Sequence, residues 1–134
     1  MFAHLKNRSL LRISGSDAET FLQGQLSNDI NQLDASSVQV NAYCQHQGKI
    51  LVLFWVIRNE DSFFLSFPSD LLGAIKPRLQ MFIIMSDVII EDITKDYIQV
   101  GSIDEAHQNA LVINDKLSLI IADKQDINKF NMEP

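Results

Sequence analysis

Gln23, Gln25, Asn28 and Asp29 crowd into the stretch FLQGQLSNDI, residues 21–30. Three carboxamides and one carboxylate supply hydrogen-bond donors and acceptors at a density that helix formation alone does not require. Such a set can serve a polar ligand. It can equally end a helix, because Asn28 and Asp29 are good turn residues whose side chains bond nearby backbone. Spacing alone leaves both readings open.

Other chemistry is sparse. The glycines at 15, 24, 48, 73 and 101 form neither a G-x-G-x-x-G nor a phosphate-binding loop. His4, His46 and His107 make no close metal-ligand pair with a cysteine, a carboxylate or each other, and no metal is expected. Cys44 and His46 lie two residues apart in or beside a turn, which favours a loop histidine and a partly buried thiol over a thiolate–imidazole pair. Glu91 and Asp92 are adjacent, so on a strand they face opposite sides and cannot share a proton; solvation of an edge strand is expected. Phe54 and Trp55 sit in an apolar run and are expected in the core.

The elements that must position these residues follow from periodicity. SLLRIS reads as a first strand, and GSDAE opens a helix that Ser16 or Asp17 can cap, with Ser16 and Glu19 fitting a capping box. Ala18, Phe21, Leu22 and Leu26 share one helical face, and Gln23 points away from it. SVQVNAYC and KILVLFWVI read as strands joined by QHQG, with Gly48 suited to a positive φ. The second of these is apolar throughout and is expected to be covered on both faces. SFFLSF completes an antiparallel meander.

Ser69 is expected to start a second helix burying Leu71, Leu72, Ile75, Leu79, Phe82 and Ile83, which Pro77 should kink or divide. DVIIEDI and DYIQVGS read as further strands. NALVIN and LSLIIA suggest a hairpin around Asp115, and DINKFNMEP a terminal turn or frayed helix. The expected class is α+β, a mostly antiparallel sheet packed with helices, forming a single domain over 1–134.

Composition sets the outer bounds. The 134 residues carry a net charge of −6, with 46 % apolar and 21 % charged residues. That acidic balance disfavours direct nucleic-acid binding. The apolar run Ile50–Ile57 is far short of the about 20 residues that a membrane span needs, and no membrane partner is expected. A single cysteine and a start without a secretory pattern point to the cytoplasm.

Three blocks, LLRISGSDAETFLQGQLSNDI, AYCQHQGKIL and LQMFIIMSDVIIEDI, occur in the order and spacing of the N-terminal part of the YgfZ-like folate-binding proteins. The chain resembles that family, a relative of the glycine cleavage aminomethyltransferase (T-protein), from about Ser9 to Ile93; residues 103–134 are not covered by the match. The resemblance implies a larger protein around a folate-binding channel, and a role in iron–sulfur cluster assembly or maintenance, including enzymes that modify tRNA. It implies tetrahydrofolate or another folate as ligand, with Gln23, Gln25, Asn28 and Asp29 as candidate contacts for the pteridine. It implies iron–sulfur client enzymes and the downstream domains of the same protein as partners.

The chain departs from the transferase pattern. Where those enzymes carry two aspartates after the hairpin glycines, it has Val52 and Leu53, neither able to accept a proton. A tyrosine common before that turn falls near Val40. The family's downstream cysteine motif is absent, so the chain is either a fragment or a shortened relative. The leading expectation is a folate-binding-type module with no catalytic residue of its own. The alternatives are a self-associating interaction domain (a homo-oligomer) and, third, an active aminomethyltransferase.

Overall fold

A computed structural model describes residues 1–45, 47–104 and 107–130. His46, and with it the expected Cys44–His46 geometry, lies outside them. The chain order is β1 (Phe2–His4), β2 (Arg8–Ser14), α1 (Ala18–Gln25), β3 (Gln39–Cys44), β4 (Ile50–Asn59), β5 (Ser62–Pro68), α2 (Leu72–Met81), β6 (Ile89–Asp92), β7 (Tyr97–Ile103), β8 (Leu111–Val112) and β9 (Leu117–Asp123), with short 3-10 turns between. Two antiparallel sheets result, β3-β4-β5-β2-β6 and β1-β7-β9-β8. The fold is α+β.

The meander β3-β4-β5 forms in the expected strand order, with Gly48 at φ +84° and its N–H donating to the Gln45 carbonyl at 2.8 Å. Helix α1 lays Ala18, Phe21 and Leu22 on one face of the larger sheet, where they join Ile13, Phe54, Val56, Leu65 and Phe67 in the main core. The opposite face of that sheet meets the smaller one through Leu10, Ile57, Phe64 and Leu119. Burial of these side chains supplies most of the driving force, at roughly 25 cal/mol per Å² of apolar area.

Five local expectations need correction. The first strand is β1, not SLLRIS; three residues are too few for an alternation to show. The capping box does not form. Ser16 instead donates its backbone N–H and its hydroxyl to Asp87 Oδ2, at 2.9 and 2.8 Å. Asp17 caps α1 without a side-chain bond to the helix, and its carboxylate takes the Asp87 N–H at 2.7 Å. Glu19 is diverted to Arg58, at 2.8 Å.

Ser69 opens a 3-10 turn, Ser69–Leu71, and α2 follows from Leu72 without division at Pro77. Gly73, whose carbonyl loses its partner there, is exposed, so that carbonyl is open to solvent rather than buried unpaired. Phe82 is exposed because the helix ends at Met81 and the apolar stripe ends with it. Finally, β4 is covered on both faces only toward its C-terminal end, where Ile57 is buried against the smaller sheet. Val52, Phe54 and Val56 are in the core, whereas Leu53, on the other face, is 51 % exposed.

The Ser16–Asp87 bonds carry a pH signature. The Ser16 backbone N–H, and then its hydroxyl, hold the Asp87 carboxyl below the ordinary value of about 3.9. A depressed folded-state pKa adds stability that is complete above the unfolded value and disappears as pH falls through the folded one. The Tm gap between wild type and Asp87→Ala should therefore narrow on acidification from pH 6 to below 3. A gap constant across that range would mean that the carboxylate is not what Ser16 binds.

Candidate functional site

Beyond α1 the chain runs beside the free edge of β3. Leu26 bridges Tyr43, and the Ser27 N–H donates to the Ala42 carbonyl at 3.1 Å. Asn28 continues the contact, its Nδ2 donating to the Val40 carbonyl at 2.8 Å. The QLSND segment thus extends the sheet by a short irregular edge.

A buried asparagine locks this edge. Asn41 is 1 % exposed. Its Oδ1 accepts from the Asn28 N–H at 2.9 Å and from the Ser27 hydroxyl at 3.4 Å. Its Nδ2 donates to the Asn28 carbonyl at 3.2 Å and to Gln39 Oε1 at 2.9 Å. Gln39 in turn donates Nε2 to the Asp29 carbonyl at 2.9 Å. Every hydrogen-bonding capacity of Asn41 goes to one clasp, as a buried carboxamide requires.

The four residues singled out in the sequence share this segment with different duties. Gln23 Oε1 accepts from the Ile30 N–H at 2.9 Å, closing the loop back on α1. Asp29 caps the following 3-10 turn, accepting from the Asn31 N–H at 3.0 Å. Asn28 belongs to the clasp. Gln25 is half-buried, and its carboxamide has no hydrogen bond among the described residues. Arg58 braces the loop from α1's side, donating to the carbonyls of Leu33 and Ile30 at 2.8 and 3.2 Å and to Glu19. That last bond holds the Glu19 carboxyl below its usual range.

Beside the clasp lies the uncovered part of the sheet. Val40 opposes Trp55 and Ala42 opposes Leu53 in register, so the four side chains share one face. Val40 is 44 % exposed and Leu53 51 %. Trp55 is half-buried, and the Arg8 guanidinium lies over its ring, 3.8 Å from the centroid. Arg8 is fixed by Ser66, with Nε to the hydroxyl and Nη2 to the carbonyl, both at 2.9 Å. Ser66 donates onward to Gln99 of the smaller sheet, whose Nε2 reaches the Arg8 carbonyl at 3.2 Å. Partial burial lowers the Arg8 pKa. An apolar floor, an indole with a planar cation, and an amide-lined edge together suit a flat heteroaromatic ligand.

Arg8, Trp55 and Asn41 were not singled out as site residues in the sequence. Asn41 is one of two carboxamides in β3, the other being Gln39. A hollow of about 780 Å³ beside the β4–β5 turn is lined by Arg12, Glu19 and Arg58, among others. Its cations are already engaged, Arg58 by Glu19 and Arg12 by Glu91 at 3.9 Å, which leaves it less suited to an anion. Among the described residues no three metal-ligating side chains cluster, and no helix is long and apolar enough to cross a membrane.

No family model matches the chain. It is 27 % identical over 81 residues to the tRNA-modifying protein YgfZ of Colwellia psychrerythraea, covering 60 % of this chain and 25 % of that protein. It is 27 % identical over 130 residues to the mitochondrial iron-sulfur cluster assembly factor IBA57 homolog of Mycosarcoma maydis, covering 87 % and 32 %. Its fold matches that of glycine cleavage system aminomethyltransferase T from Bartonella henselae, with a TM-score of 0.66 and 16 % identity over 75 % of this chain and 27 % of that one. The chain spans less than half the length of the curated relatives it matches. Sequence and fold together bear out the resemblance to YgfZ-like proteins.

Proposed function

We propose that the open β3–β4 face and its QLSND edge form one wall of a folate site, and that the chain is a folate-binding-type module of a longer protein serving iron–sulfur cluster assembly or maintenance. The observation that carries this reading is the juxtaposition of Trp55, Arg8 and Leu53 with a loop rich in carboxamides. The names of the similar proteins, one tRNA-modifying and one an iron–sulfur assembly factor, support the assignment of process. Tetrahydrofolate is the proposed ligand, and downstream domains of the same protein and iron–sulfur client enzymes are the proposed partners.

Binding without turnover fits the face. Val52 is buried in the main core, and Leu53 is the member of that pair that faces outward. Leu53 offers no proton acceptor where aminomethyl transfer would need one.

Trp55 is the chain's one tryptophan, so its fluorescence reports on this face directly. Tetrahydrofolate should quench it saturably, and Leu53→Lys should weaken binding by about tenfold, or roughly 1.4 kcal/mol. Gln25→Ala should reduce affinity at unchanged Tm, since its carboxamide holds no other group. Asn28→Ala should lower both affinity and Tm, because Asn28 also builds the clasp. Equal affinity in all three variants would remove the ligand role.

A second reading has its own observation. Val40, Ile50 and Leu53 on the sheet, with Met81 at the end of α2 and Ile84 and Met85 beyond it, are exposed apolar side chains that favour self-association. Sedimentation as a monomer at high concentration would count against it.

A further inference from the structure

On the α2 side of the larger sheet, opposite the proposed folate face, a groove of about 540 Å³ runs between α2 and the start of β4. Its walls are Leu51, Leu71, Ala74, Ile75, Pro77 and Met81, and its one charged wall residue is Arg78. Leu51 reaches this side because the β3–β4 register slips by one residue between Tyr43 and Cys44.

A guanidinium in the groove wall and a buried phenol near it have no anionic acceptor between them. Tyr43 is 2 % exposed, and its hydroxyl has no hydrogen-bond partner. A buried hydroxyl left unpaired is costly, and native structures seldom keep one without a use. Burial holds the phenol above its ordinary range, and the charge and N–H groups of the nearby Arg78 act in the opposite direction. Arg78 is itself half-buried, and among the described residues no carboxylate lies within ion-pair distance of it. The guanidinium has no carboxylate partner and the phenol proton no acceptor, and one anionic oxygen could serve both.

We propose that this groove binds a small amphiphilic carboxylate, its apolar body along α2 and its carboxylate between Arg78 and the Tyr43 hydroxyl. The volume lies in the range of small-molecule pockets lined by apolar groups with a few convergent polar ones. Such a site is separate from the folate face, and neither depends on the other.

Decanoate is the probe, with decanol as its uncharged counterpart, each titrated into the full chain while backbone amide NMR shifts are followed. Decanoate should saturate with shifts at residues 71–82 and Leu51, and bind at least about tenfold tighter than decanol. Arg78→Gln should abolish that preference and leave decanol binding unchanged. Tyr43→Phe should weaken decanoate while Tm stays level or rises, since the variant deletes an unpaired buried hydroxyl. Equal affinities for the two probes, an unaltered preference in Arg78→Gln, or shifts at Val40, Ala42, Leu53 and Trp55 with none at residues 71–82 would each overturn the proposal. A silent folate titration would leave these outcomes untouched.

Discussion

Asn41→Ala is expected to destabilise the protein by about 3 kcal/mol, more than the loss of any residue singled out from FLQGQLSNDI. The side chain is buried and makes hydrogen bonds to Ser27, Asn28 and Gln39. Alanine would strand the Asn28 N–H and carbonyl together with Gln39 Oε1, and would leave a small cavity beneath the loop. Asn28→Ala should cost only about 1 kcal/mol, because its side chain is exposed and the Val40 carbonyl it releases can take water. Urea denaturation of the two variants gives the comparison directly. If Asn28→Ala proves the costlier, the clasp is held from the loop side and Asn41 is a passenger.

The clasp explains why the site was only half legible in the sequence. Alternation along β3 marks Val40 and Ala42 as the inward pair, and Asn41 as outward. The fold reverses this parity, with Asn41 and Tyr43 beneath α1 and its loop and Val40 on the open face. What overrides the pattern is a set of bonds to a segment 13 residues upstream. Hydrophobic periodicity contains no such information.

The same holds for Arg8 and Trp55. Their pairing across 47 positions of sequence depends on β2 entering the sheet beside β5, a choice made by tertiary packing. By contrast the meander, the stripe of α1 and the β8–β9 hairpin were readable, since each rests on contacts close in sequence. FLQGQLSNDI runs from α1 into the 3-10 turn that follows it. Its side chains mostly shape their own loop, and Gln25 alone of the four keeps an unengaged carboxamide.

Gly15→Ala is the second large effect expected, again about 3 kcal/mol or more, and it tests how α1 is seated. Gly15 has φ +109°, a conformation that L residues rarely adopt. A Cβ there would collide with the Asp87 carbonyl oxygen and lie 2.8 Å from the carbonyl carbon. That carbonyl cannot retreat freely, because it accepts from the Asp17 N–H at 3.0 Å while the Asp87 side chain holds Ser16. Two further glycines separate the causes. Gly48 has φ +84° with open space around it, so Gly48→Ala should show the backbone strain alone, about 1 kcal/mol. Gly24 is helical and unobstructed, so Gly24→Ala should stabilise by about 0.5–1 kcal/mol. Should Gly15→Ala cost no more than Gly48→Ala, the contact with Asp87 yields easily. The lock between residues 15–17 and Asp87 would then be no determinant of where α1, and the loop that follows it, comes to rest.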